Sequence, residues 1–600
     1  MRFNYLSILF IFLCLFNTGC IKGQSCYGNL IVASPHTFSI VESSINDLQQ
    51  YLSKGTGQTF NISKKDGPYI NGIQIIKLNP TDSTYSKILP RNNADAVLIQ
   101  SDGETYLKIV SYTTQGLING IYTYLDTLGF RWYHPGDDWT YVPTLKDVRL
   151  KMGKVFIPDF SLRTFFGTFG TPRISEVDKW RTVDYQWGLW MRRNRFAGGL
   201  KGHSWNEFLW RHVTELKMHP EYMALVDGQR VFPNTATKFC ISNKGFQQLF
   251  IDDMVDQLKK EMKAWPEAGV YSISVEPSDG EGECQCDECK KIGNFSDCAF
   301  YLANLVAKEF QKISPNGYVN LYAYNTHAIP PKFDLEPNVL VQIIPYGYQH
   351  FSSPEDMIAA WKKKNHDLYI YDYYGLPINN VDMPLQPPLS PLSFPERLKY
   401  WYQQHIKGAT LESSYSIGAT GLGLYLFSRY SWDIHSNLNR LITEYYKNCY
   451  GPIAKVVEET NWHLNYDTTS REQTLKGAMQ LLYKGTKGKK LSPAEKTRLT
   501  DFEAYLHYLK LLYDVKDGKV AEPAGVDSLM EYTYGIFQTM MVHQLPITEY
   551  LKNNGPAADY VKEHWDCDKP SAPGMKFASV IPLTPAQIEQ SFEEDCKILK

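Results

Sequence analysis

Between Phe156 and Asn437, short apolar runs closed by polar or glycine-bearing turns alternate with stretches of helical periodicity. This recurrence constrains the fold more than any other feature. Parallel strands cannot be joined by tight hairpins, so each needs a crossover, usually a helix, and the alternation is what such a sheet looks like in sequence. Strand ends fall near FSLRTFFG, MRRNRFAGG, TKFCIS, VYSISVEPSDG, GYVNLYAYNTH, NVLVQIIPYG, DLYIYDYYG and GATLESS. Eight strands in roughly 280 residues predict an α/β fold, a (β/α)8 TIM-type barrel. Two crossovers are especially clear. Phe246, Leu249, Phe250, Met254, Leu258 and Met262 recur at helical spacing behind Ser242 or Asn243 as cap, and Leu302, Leu305, Val306, Phe310 and Ile313 repeat the pattern.

The chain has 600 residues, too many for one core, and both flanks of the barrel read as further domains. Residues 24–150 predict a small α/β domain. GNLIVAS is a strand, and the helix after it presents Ile40, Ile45, Leu48 and Leu52 on one face. NGIQIIKL, ADAVLIQ and GETYLKIVSY are further strands, and TTQGLINGIYTYLDTLGFRWYHPG is a second helix with a turn. The barrel then occupies 151–437. Residues 438–600 predict a helical domain, with Ser492, Pro493 and Glu495 forming a strong helix start.

The first 23 residues predict a signal peptide: Arg2, then an apolar run of eleven residues from Leu6 to Phe16, too short to span a bilayer. Two processing routes stay open, a lipid on Cys20 after Thr18-Gly19 or plain cleavage near Gly23. Either places the protein outside the cytoplasm, in the periplasm or as a lipoprotein of the outer membrane or cell surface. No other run is apolar enough for a membrane span. Sixty-two basic residues nearly balance 64 acidic ones with no basic block, which excludes nucleic acid as main partner. Aromatic residues make up 14% of the chain, an excess that suits flat contacts to sugar rings as well as core packing.

Barrel chemistry sits at the C-terminal ends of the strands. There the fourth strand delivers Glu276 and Asp279, the seventh Asp372 and the eighth Glu412. Glycoside hydrolysis needs a pair of carboxyl groups flanking the bond, one protonating the leaving oxygen and the other activating water or attacking the sugar. These four acids are the catalytic candidates. Glu276 is the expected general acid, Asp372 or Glu412 the opposing base or nucleophile, and Asp279 a group that orients Glu276 or binds a hydroxyl. Substrate-binding candidates at the same mouth are Arg163, Asn194, His203, Trp205, Tyr324, His327 and Tyr346. The arginines of this region suit an acidic sugar. No cofactor is expected for catalysis. Cys284, Cys286 and Cys289 form a C-x-C-x-x-C run, with Cys240 at the end of the neighbouring strand; the four suit either a structural zinc or disulfides.

The segment GIYTYLDTLGFRWYHPG resembles the accessory domain that precedes the barrel in family-20 hexosaminidases and family-67 α-glucuronidases. HPEYMALVDGQR, KFCISN, SVEPSDGEGECQCDECKK and Ser296-Asp297 resemble the bacterial family known as domain of unknown function 4838, over most of residues 30–440. That resemblance implies an exported glycoside-hydrolase-like barrel of polysaccharide-degrading bacteria, with an oligo- or polysaccharide as partner. It supplies no substrate and no catalytic assignment. VYSISV is followed by Glu-Pro-Ser-Asp and not by the Asp-Glu dipeptide of hexosaminidases, which argues against substrate-assisted hydrolysis. The expected function is therefore cleavage of glycosidic bonds in a complex glycan. The alternatives are a non-catalytic glycan-binding protein on a hydrolase scaffold and a polysaccharide lyase.

Overall fold

The computed structural model describes residues 27–67, 71–168, 170, 178–200, 202–230, 232, 238–266, 269–364, 367–375, 393–466, 471–520, 523–554, 556–566 and 574–598. The expected leader, with Cys20, lies outside them. No helix among the described residues is long and apolar enough to cross a membrane. The chain forms two compact units, one of residues 1–130 and 142–156, the other of residues 131–141 and 157–600.

The first unit contains β1 (Leu30–Ala33), α1 (Pro35–Thr56), β2 (Asn61–Lys64), β3 (Gly72–Lys77), β4 (Val97–Asp102), β5 (Tyr106–Ser111) and α2 (Thr114–Thr127). After the ribbon β6 (Arg131–Trp132) and β7 (Thr140–Tyr141), which belongs to the second unit, β8 (Lys151–Phe156) completes a sheet of order β2-β1-β3-β5-β4-β8. β4 runs antiparallel to both its neighbours. Ser34 caps α1 by accepting from the Thr37 amide, and Gly57 ends it at φ 69°. Ile45, Leu48 and Leu52 are buried as their spacing predicts. Ile40 is not, because Val41 leaves helical geometry (φ −130°, ψ 25°) and turns Phe38 and Val41 into the core instead. Gly116 and Gly120 let α2 lie directly on the sheet. A Cβ on Gly116 would stand 2.1 Å from Ser111 Oγ, and one on Gly120 would stand 2.4 Å from Ile109.

In the second unit β9 (Leu162–Gly167) is followed by α3 (Asp178–Arg193), α4 (Trp205–Arg211), α5 (Val213–Met218) and α6 (Lys244–Ala264). β10 (Tyr271–Ser274), α7 (Asp287–Ile292), α8 (Phe295–Ile313), β11 (Gly317–Ala323) and β12 (Val339–Ile343) come next. Then come α9 (Pro354–Lys362), β13 (Leu368–Tyr374), α10 (Ser393–Gln403), β14 (Gly408–Ser413) and α11 (Ile417–Trp432). Six strands form one all-parallel sheet, β10-β11-β12-β13-β14-β9, which curls as an arc of a (β/α)8 barrel. At the second and third expected strands only isolated bridges form, Arg163 with Ala197 and Met223 with Phe239. The residues before Ala197 are helical because Trp187 and Trp190 recur at i, i+3 and bury against Phe165.

Asn243, not Ser242, caps α6, and Asn294 with Asp297 closes a capping box on α8. Helices continue from Leu438 to Ile598, and Ser492 and Glu495 form the reciprocal capping box expected of SPAE.

Candidate functional site

On a parallel sheet, registered residues of neighbouring strands share a face. Tyr371 pairs with Thr410, and Tyr373 with Glu412, which in turn pairs with Phe166. The Thr410 hydroxyl accepts from the Gln342 amide across the buried interior, so this set faces inward. Asp372 and Leu411 alternate to the other face.

Inside the mouth, Glu412 is half-buried and accepts from the Tyr371 hydroxyl (2.6 Å) and the Thr168 hydroxyl (2.8 Å). No cation pairs with it among the described residues. Tyr322, Ile344 and Tyr371 pack together, with Tyr324 and Tyr373 against them. The Tyr322 and Tyr371 rings are 5.0 Å apart, Tyr371 and Tyr373 5.6 Å, and Phe166 lies 6.0 Å from Tyr371. Burial first, and nearby carboxylates second, push the Tyr322 and Tyr373 phenols well above the ordinary tyrosine range. The carboxylates are informative because they come from distant stretches of chain. Tyr322 feels Glu276 and Glu412, Tyr324 feels Asp279, Glu276 and Glu412, and Tyr373 feels Glu412 and Asp279. Glu276 and Asp279 follow β10, and Glu412 lies on β14. β11, β12 and β13 stand between β10 and β14 in the sheet.

The sequence-derived candidates separate on this geometry. Glu276 is 0% exposed. Its Oε2 accepts from the Tyr322 amide (2.7 Å) and its Oε1 from His327 Nε2 (2.9 Å). Its backbone carbonyl accepts from the Ser204 and Trp205 amides, so the 202–205 loop covers it. The expected general acid thus offers no face to a substrate and holds His327 and β11 in place. Asp279, three residues on, is exposed at the rim. Asp372 is corrected outright: on the outward face its carboxylate pairs with the Arg397 guanidinium of α10, away from the cleft.

Arg163 and Asn194 are also corrected. Arg163 is buried and donates to the Arg195, Phe160 and Ser161 carbonyls, and Asn194 donates to Trp132 and Trp190 carbonyls. Both are spent on backbone, and neither is free to hold an acidic sugar. Trp205 is 0% exposed, its indole N–H donating to the Val275 carbonyl, and it braces the loop without lining the cleft. Tyr324 is half-buried beside Tyr373, and Tyr346, 52% exposed, has its ring 5.9 Å from Tyr373. His203 packs edge-on to Tyr322 and donates to the Pro277 carbonyl (2.8 Å).

Three features escaped the sequence reading. Tyr371 and Tyr373 flank the acid that drew attention, and period-two alternation puts them on the opposite face from it. Thr168 lies just past a strand end. Lys238 is buried before Cys240, donates to the Ser278 carbonyl and lies in the field of Glu283, Glu276 and Asp279. The residues that could hold a metal are Cys240, Cys284, Cys286 and Cys289, whose sulfurs converge beyond this loop.

A family model described as domain of unknown function (DUF4838) matches residues 134–459. No curated protein matches the chain. Among solved structures, a family GH115 4-O-methyl-α-glucuronidase with specificity for decorated arabinogalactans is similar at a TM-score of 0.56 and 12% identity, over 95% of this chain and 79% of that one. A family 89 glycoside hydrolase from Clostridium perfringens, in complex with PUGNAc, gives 0.47 and 11% over 94% and 75%. At 12% identity the first likeness speaks to the fold alone, which the two proteins share.

Proposed function

The chain belongs to the family described as domain of unknown function 4838, and from that premise we propose that it is an exported glycoside hydrolase using Glu412 and Asp279. The apolar leader supports export, on either processing route. One observation carries the catalytic reading: among the described residues Glu412 stands between the inward-facing tyrosines with only the Tyr371 and Thr168 hydroxyls on it, and Asp279 is the exposed acid beyond the far edge strand β10. A sugar lying on that tyrosine surface has a carboxyl group on each side.

In this reading Asp279 delivers a proton to the glycosidic oxygen as the C–O bond breaks. Glu412, held by the Tyr371 and Thr168 hydroxyls, takes a proton from the attacking water or bonds to the anomeric carbon itself. Phe166 (41% exposed) and Tyr346 offer apolar rings to sugar faces, and Tyr322 closes the floor. Glu276 is a positioning residue behind that floor. The substrate is an oligo- or polysaccharide.

The test is a panel of aryl glycosides and polysaccharides with the purified protein. On a substrate that is turned over, Glu412→Gln lowers kcat/KM at least about 10³-fold, roughly 4 kcal/mol of transition-state stabilisation. Asp279→Asn costs about 10²-fold or more, and less on substrates with an acidic leaving group that needs no protonation. Full activity in either variant removes that residue from the mechanism. Binding without turnover by the unaltered protein assigns the cleft to glycan recognition instead.

A further inference from the structure

The cysteine run and Cys240 are separated by more than forty residues, yet their four sulfurs lie within 4.8 Å of one another. Cys240 Sγ is 3.6 Å from Cys286 Sγ and 3.9 Å from Cys289 Sγ. Four thiolates bound tetrahedrally at ~2.3 Å from one zinc ion stand ~3.8 Å apart. A disulfide pattern would single out partners, whereas here Cys240 is nearly equidistant from two sulfurs. Backbone amides point at the sulfurs: Leu225 N–H at Cys284 (3.3 Å), Ser242 N–H at Cys289 (3.4 Å) and Cys289 N–H at Cys286 (3.4 Å). The Arg230 guanidinium lies against Cys240 and Cys286, opposing the net negative charge of four thiolates around a divalent ion.

We propose that Cys240, Cys284, Cys286 and Cys289 bind one zinc ion in a closed structural site. Four protein thiolates fill the tetrahedron and leave no position for water or substrate, so the ion does no chemistry on the sugar. Its work is mechanical. Cys240 follows two residues after Lys238, whose ammonium donates to the Ser278 carbonyl. Cys284, Cys286 and Cys289 end the loop that carries Asp279 through Gly280 and Gly282, both at positive φ. The ion ties the far end of that loop to Cys240, whose neighbour Lys238 holds the Ser278 carbonyl, and so keeps Asp279 at the rim.

The experiment uses the full chain, purified without a metal-affinity step and measured by elemental mass spectrometry. The expected content is about one zinc per chain, falling below about a fifth in Cys284→Ser and in Cys289→Ser. Should those variants fail to fold, the unaltered chain is titrated with a mercurial reagent in the presence of a chromophoric chelator; about four equivalents should release the ion. Iron in place of zinc, no metal, or a disulfide between any two of the four cysteines in a non-reducing peptide map overturns the proposal. Glu412→Gln keeps its zinc, so the hydrolase reading and this site stand or fall separately.

Discussion

Tyr371 and Asp372 are consecutive on β13, yet their functions diverge because a strand sends neighbours to opposite faces. Tyr371 reaches Glu412 inside the barrel, while Asp372 reaches Arg397 outside it. The outward pair is worth little to a reaction, and burial outweighs Arg397 in holding the Asp372 carboxyl above its ordinary range. Asp372→Asn is therefore expected to keep the fold, its urea unfolding free energy within about 1 kcal/mol of the unaltered protein. Its kcat/KM stays within about twofold of the unaltered protein; a large loss of turnover in a stable variant would return Asp372 to the mechanism. The same alternation explains what could be read at residue scale. Glu412 and Asp279 were visible as acids at strand ends, but a lone strand does not declare its inner face, so Asp372 looked equivalent to Glu412. Glu276 looked reactive for its position, and only tertiary structure shows both oxygens occupied by Tyr322 and His327.

Elements were legible where a local signal names them. Ser492 and the period of Phe246, Phe250, Met254 and Leu258 read correctly, and Asn243 is one of the two caps the sequence offered, because caps and apolar stripes are short-range physics. MRRNRFAGG and TKFCIS did not, because their strand-like composition arises from a helix end and from bridges that depend on distant partners. The long helix Pro493–Lys516 carries a property no pattern revealed: two buried acids in a stretch that is buried on every side. Burial pushes the Asp501 carboxyl up to about 7 and the Glu503 carboxyl up to about 8. A carboxyl raised in the folded state binds more protons there than in the unfolded chain, so its contribution is complete below about pH 4.5 and declines as pH rises toward about 8. Glu503→Gln mimics the protonated form. Its Tm should therefore exceed that of the unaltered protein by a margin that grows from pH 4.5 to pH 8. A margin independent of pH would show that Glu503 titrates normally.

At the scale of the molecule, the barrel and the helices after it are one compact unit. The loop beyond β14 takes its partners from far along the chain. Ile417 and Gly418 amides donate to the Met540 and Met541 carbonyls, the Ser416 hydroxyl donates to Met541, and the Tyr415 amide donates to His543 Nδ1. His543 Nε2–H then donates to the Gly170 carbonyl beside the mouth. Burial holds His543 down to about 4, so the ring stays neutral and keeps one nitrogen as donor and one as acceptor. For anyone cloning only the stretch that the family model covers, residues 134–459, these ties set a trap: the truncated gene omits the strap at Met540–His543 and strands its backbone partners without mates. Such a fragment is expected in inclusion bodies, or in the void volume on gel filtration, while a version carried through Ile598 elutes as a monodisperse species. Equal yields of well-behaved protein from both would mean that the strap is dispensable.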